Sequence, residues 1–297
     1  RWQLPVAELS AEKSFIVHRA SGRRASYGEL ASAAASLPPP TTPVLKSPDQ
    51  FTLLGRTLPR TDTPAKCDGS ATFGIDVREP GMLYAALRRS PAVTSRIVRF
   101  DRDAVLAIPG VVDAFEIPDG IAVVAGSTWQ ARQAAEKLDV TFDDSAASAA
   151  DSKALHARMV TSLSNDAAAL PGRPAFGGPP YSKEATLAAI AGAPEKHEWQ
   201  YEVPFLAHAA LEPLCATVRV DADGCEAWVP SQQPDRARDV LAEVTGLPRE
   251  RCMLHITFLG GGFGRKWEVD FVRQAAQIAV QVKGRPVKLT WTAIWAA

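Results

Sequence analysis

Gly260-Gly261-Gly262-Phe263-Gly264-Arg265-Lys266 interrupts the chain between a run that reads as a strand, Met253 to Phe258, and one that reads as a helix, Val269 to Val282. No other segment restricts the fold as tightly. A glycine run at a strand-to-helix junction lets the backbone approach a ligand closely and adopt positive φ, and the helix start offers N–H groups with no internal partner. A tight turn needs one or two glycines; three in a row, a phenylalanine and a fourth glycine exceed that need. Two common phosphate-binding patterns fail here. A Walker A loop requires glycine before its lysine and Ser or Thr after it, but Arg265 and Trp267 hold those places. A dinucleotide fingerprint starting at Gly260 requires glycine or alanine where Arg265 stands.

The chain of 297 residues is 46% apolar, enough to build packed cores in two ordinary domains, which argues against a disordered or fibrous protein. Lys plus Arg and Asp plus Glu balance at 33 each, so no net field recruits nucleic acid or an acidic membrane surface. Apolar stretches such as Ala104 to Ile108 and Ile121 to Ala125 fall far short of the roughly 20 residues of a membrane-spanning helix, so no membrane span is expected. Cys67, Cys215, Cys225 and Cys252 lack the clustered spacing of zinc or iron-sulfur ligands and read as small buried side chains; a Cys215–Cys225 disulfide stays open.

Ser26 with Glu29 three residues on has the capping-box arrangement before an alanine-rich helix, and frequent proline from Leu37 to Pro64 then marks a linker. From Phe73 to about Asp144, strand-like runs (Leu83 to Leu87, Val111 to Ile117, Ile121 to Ala125, Val140 to Phe142) alternate with short helices, the clearest being Thr128 to Leu138. The Gly/Pro-rich stretch Leu170 to Pro180 reads as a connection. Beyond it come a helix from Lys183 to Ala191, strands over Thr217 to Val220 and Glu226 to Val229, a helix over Arg236 to Thr245, and a last strand from Pro286 to Trp291. The expected organisation is an N-terminal appendage and linker over 1–50, an α/β domain over 51–150, a connecting segment over 151–182 and an α+β domain over 183–297.

Gly-Gly-Gly-Phe-Gly followed by a basic residue resembles the cofactor loop of the molybdopterin-binding large subunits of the xanthine dehydrogenase and aldehyde oxidase family. Together with Trp228-Val229-Pro230-Ser231-Gln232-Gln233-Pro234, it is most similar to the isoquinoline 1-oxidoreductase beta subunit and nicotinate dehydrogenase branch. Tyr201 to Pro213 resembles the segment opening the molybdenum domain. Asp62-Thr63-Pro64-Ala65-Lys66-Cys67-Asp68-Gly69 and Pro80-Gly81-Met82-Leu83-Tyr84 resemble the entry to the family's hammerhead domain. The resemblance therefore implies an α+β fold: a hammerhead-type α/β domain over 51–150, then the first part of a molybdopterin-binding domain over 183–297.

It also implies a site. Gly261, Gly262, Phe263 and Gly264 would lie against a molybdenum-pterin cofactor, expected as the cytosine dinucleotide, and Gln232 would hydrogen-bond a molybdenum oxygen, with Gln233 the alternative. Arg265 would contact cofactor phosphate or a carboxylate, unless it is a plain surface arginine. Arg265 and Trp267 depart from the purine-oxidising branch. His208 is expected to be structural or to line a substrate channel, while Lys266, Glu268 and Asp270 read as the solvated or capping start of a helix. No residue is expected to ligate the metal directly, and no catalytic base is identified.

The implied activity is oxidation of an N-heteroaromatic compound or aldehyde with water as oxygen source, in a bacterial-type soluble complex of the cytoplasm or periplasm. Its 2Fe-2S clusters would sit on a small partner subunit, and a further polypeptide would complete the molybdenum domain. The alternative is a truncated, non-catalytic chain of the same fold serving assembly or cofactor binding. It is suggested by the missing base and by the ending Ala293-Ile294-Trp295-Ala296-Ala297, where the family strand normally continues with an arginine and acidic residues.

Overall fold

The computed structural model describes residues 2–90, 92, 95–146, 151–163 and 182–292, and the chain divides into two compact units, 1–64 and 65–297. In the first unit β1 (Leu9–Glu12), β2 (Phe15–His18) and β3 (Arg23–Ser26) form an antiparallel meander. Helix α1 (Tyr27–Ala34) follows with the expected capping box: Glu29 N–H donates to Ser26 Oγ at 3.2 Å, and Ser26 N–H donates to the Glu29 carboxylate at 2.7 Å. The meander was not anticipated. Its strands are four residues long and largely exposed or half-buried, so no alternation of apolar and polar residues marks them.

Helix α2 (Thr63–Asp68) straddles the division. The second unit then runs through β4 (Leu83–Arg88), β5 (Arg96–Phe100), α3 (Arg102–Leu106), β6 (Val111–Ile117), β7 (Gly120–Ala125), α4 (Thr128–Lys137) and β8 (Val140–Asp143). Helices α5 (Ser152–Leu163) and α6 (Lys183–Gly192) come next; the expected connection Leu170 to Pro180 lies outside the described residues, as does Ala293 to Ala297. Then follow β9 (Cys215–Val220), β10 (Cys225–Val229), α7 (Pro234–Thr245), β11 (Cys252–Ile256), α8 (Asp270–Val282) and β12 (Val287–Thr290). Strands β5 and β8 pair separately, while seven strands form a mixed sheet in the order β11-β10-β9-β12-β4-β7-β6.

Strand β7 shows why the sheet is covered on both faces. Every residue from Gly120 to Ala125 is buried, and the side chains alternate. Ile121, Val123 and Ala125 pack with Ala131, Ala134 and Ala135 of α4, whereas Ala122 and Val124 join the cluster that holds α7 and α8. In α8, Phe271, Val272, Ala275, Ala276, Ile278 and Ala279 are buried, and the small residues let the helix lie close to the sheet. The molecule is thus a mixed α/β fold.

The pairing of β12 with β4 is parallel, Val287 opposite Leu83, so one sheet joins strands that the sequence places in separate domains on either side of 151–182. Such a pairing spans some two hundred positions (287 − 83 = 204) and leaves no local trace. The register also removes the open disulfide: Cys225 faces Val220 across β9 and Cys252 across β11, while Cys215 faces Thr290. All four cysteines are free, and Cys67, expected to be buried, is exposed.

One end of the sheet collects the pieces of interest. Because β10 and β11 are parallel, Val229 and Ile256 finish side by side and the loops after both leave from the same edge. The antiparallel β9 begins there at Cys215, opposite the end of β12 at Thr290. Ligand sites of open α/β sheets form beyond the carboxyl ends of parallel strands, and this edge has that geometry.

Candidate cofactor site

Residues 260–264 leave β11 in an open loop whose conformation demands its glycines. Gly261 and Gly264 have φ of +97° and +94°, which L side chains rarely adopt. Gly260 is needed for space instead: a Cβ there would stand 2.4 Å from Glu212 Cβ. Phe263 holds φ +49° without being glycine and leaves its ring 74% exposed, so the loop presents an aromatic ring outward at a cost in backbone strain. Among the described residues, none of the amides of Gly261, Gly262, Phe263 and Gly264 donates to a protein acceptor. Four consecutive N–H groups without a protein acceptor are left to the acceptor atoms of a ligand.

Gln232 borders the loop. Its N–H donates to Lys266 O at 3.0 Å, and a Cβ on Gly262 would meet Gln232 Oε1 at 2.7 Å, so the side-chain amide lies directly against the loop. Gln233 is placed otherwise: its N–H donates to Ser231 Oγ at 2.9 Å, and its carbonyl receives the Ala237 N–H of α7. Of the two adjacent glutamines, Gln232 is the one whose side chain lies beside Gly262.

A buried ion pair pins the loop from beneath. Lys266, expected as a solvated helix start, is fully buried and bonded to the carboxylate of Glu212, itself 5% exposed. The same carboxylate accepts from Ile75 N–H at 3.0 Å and Gly260 N–H at 2.9 Å, and the Glu212 N–H donates to Gly260 O at 3.0 Å. Both ends of the loop are therefore tied to one side chain. Lys288 of β12, also buried, donates to Ile75 O at 2.7 Å and Val77 O at 2.5 Å; burial lowers its pKa to about 8. Sequence spacing missed Glu212 and Lys288, since each meets its partners only through long-range folding.

Arg265 makes a bidentate pair with Asp270 at 3.0 and 2.7 Å, and its guanidinium lies 5.2 Å from the Trp291 ring centroid. Asp270 does occupy the first turn of α8, as expected, but is also this partner. Glu268 and Trp267 are exposed. His208 is exposed too and lines a small recess with Glu212, Gly262, Arg265 and Lys266. Among the described residues no group of His, Cys, Asp or Glu could hold a metal ion.

Residues 175–293 match the molybdopterin cofactor-binding domain family. The chain is 28% identical to the beta subunit of isoquinoline 1-oxidoreductase from Brevundimonas diminuta over 98% of its own length and 42% of the relative's. It is 27% identical to a nicotinate dehydrogenase subunit of Pseudomonas putida over 84% of its length and 21% of that protein's. Quinoline 2-oxidoreductase from Pseudomonas putida 86 has the same fold over 80% of this chain and 34% of its own, with a TM-score of 0.59 at 18% identity. The chain is thus similar to molybdenum-binding subunits of the aldehyde oxidoreductase and xanthine dehydrogenase type, with the cofactor-binding match confined to its C-terminal part. It spans about two fifths of the length of the first of these relatives and about one fifth of the second.

The residues present fit a molybdenum-pterin group. A pterin carrying oxygen, nitrogen and phosphate acceptors suits a glycine surface with free amides, and a Cβ at Gly264 would meet nothing within 4 Å, so that face is open. Gln232 adds an amide donor without adding charge.

Proposed function

We propose that this chain supplies one wall of the cofactor site in a molybdenum-dependent hydroxylase that oxidises an N-heteroaromatic compound or an aldehyde with water as oxygen source. When bound, the molybdenum-pterin group supplies the two-electron oxidation. The chain's own residues bind and orient it: the amides of Gly261 to Gly264 face its acceptor atoms, Gln232 donates from the side, Phe263 closes one edge with its ring, and Arg265, held by Asp270, stands at the rim. The cytosine dinucleotide form of the cofactor belongs to the same proposal, as do a small partner carrying 2Fe-2S clusters and a further polypeptide segment completing the site. The N-heteroaromatic preference rests on the kinship to proteins named for isoquinoline and nicotinate. The observation that carries the reading is the open loop with four free amides beside Gln232. Elemental analysis of the purified native complex, with fluorescence of the oxidised pterin, is expected to find about one molybdenum and one pterin per chain; a complex lacking both overturns it.

A further inference from the structure

At the carboxyl end of β4 the sheet opens into a cavity of about 210 Å³, bounded by β4, the second half of α4 and the end of β12. Its chemistry is uneven. Arg132 on the wall is paired with Glu136 at 2.8 Å, but Arg88 and Arg89 meet no carboxylate among the described residues. Arg88 Nε is buried with no hydrogen-bond partner, and so are the hydroxyls of Thr290 and Thr292. Arg89 lies over the Trp291 ring, 5.1 Å from its centroid. Buried polar atoms in folded proteins nearly always have partners, so three orphans around one cavity call for an occupant. Two unpaired guanidiniums and two hydroxyl donors select an oxyanion, and a guanidinium fork matches a carboxylate in shape as well as charge. The remaining wall, Ala86, Leu87, Ala135 and the Trp291 ring, is apolar.

We propose that this cavity binds a small carboxylate carried on an apolar, ring-sized body, with Arg88, Thr290 and Thr292 holding the carboxylate and Trp291 packing the ring. The site uses none of residues 260–266 and stands whether or not the chain carries a pterin. Trp291 nevertheless joins the two regions, since Arg265 lies over the same ring.

Calorimetric titration of the full-length protein with benzoate tests the assignment, with benzamide as the uncharged ligand of like size and inorganic phosphate as the anion without a ring. Benzoate is expected to saturate, and benzamide and phosphate to bind at least about tenfold more weakly, the factor that one charge-assisted bond supplies. Arg88→Met is expected to weaken benzoate about tenfold and leave benzamide unchanged. Thr290→Val and Thr292→Val, nearly isosteric, serve if the arginine variant does not fold, and each is expected to weaken benzoate severalfold. Absence of saturable benzoate binding, equal affinity for benzamide, or unchanged benzoate affinity in the folded variants overturns the proposal.

Discussion

Glu212 accepts three donors with its carboxylate and uses its own N–H for a fourth contact, so it is held from several sides. Its partner Lys266 is among the largest fully buried side chains of the described residues. A buried ion pair gains little over a well-packed apolar pair, but removing one member strands the other charge at a cost of about 3–5 kcal/mol. Glu212→Gln is therefore expected to lower unfolding stability by about that amount, because an amide cannot neutralise Lys266. Glu212→Leu combined with Lys266→Met should recover part of the loss. Urea unfolding of the three proteins checks both, and a double variant no more stable than Glu212→Gln counts against the pair as the cause. Nothing in the spacing of Leu211-Glu212-Pro213 or Arg265-Lys266-Trp267 announces this contact, whose partners lie 54 positions apart. The glycines could be read because their backbone demands are local, whereas burial of a lysine is decided by what folds over it.

Strand β12 ties the sheet to the segment before β4 through Lys288, whose ammonium is held under the carbonyls of Ile75 and Val77. Burial holds its pKa at about 8 against an ordinary 10.5. Below pH 8 the folded state carries the cost of that buried charge; between 8 and 10.5 the folded side chain loses its proton while the unfolded one keeps it, so stability rises. Cys215 and Cys225 act in the opposite sense. Burial pushes both from 9 to about 12, and above pH 9 the unfolded thiols ionise while the folded ones do not, so stability falls. Melting temperature is expected to peak near pH 9, and Lys288→Met should abolish the rise between 8 and 9 but keep the later fall; an unchanged rise would exclude Lys288 as its source. At this scale much was legible. Helix α8 and strand β10 follow apolar periodicity and β7 is one continuous apolar run, while β1 to β3 and β5 are short and poorly buried and show none. The joining of β4 to β12 was hidden because pairing partners leave no periodic signal in either strand.

Residues 1–64 and 65–297 each hold most of their contacts within themselves. The second unit contains the main core, the glycine loop and the carboxylate cavity, so deletion of 1–64 is expected to leave a folded protein. Scanning calorimetry of the whole chain should show two transitions, of which the truncated chain keeps the larger; loss of both on truncation would mean that the units fold as one. No helix among the described residues is long and apolar enough to cross a membrane. The central place of β12 in the sheet, between β9 and β4, has a consequence for biosynthesis. A ribosome delivers β4, β6 and β7 long before β12, so one edge of β4 waits unpaired, as an aggregation-prone template, until some two hundred further residues have emerged (287 − 83 = 204). Closure of the sheet, and with it assembly of the ledge on which the glycine loop sits, is then a late event in the life of the nascent chain, and a cofactor could be seated only after translation has passed Thr290.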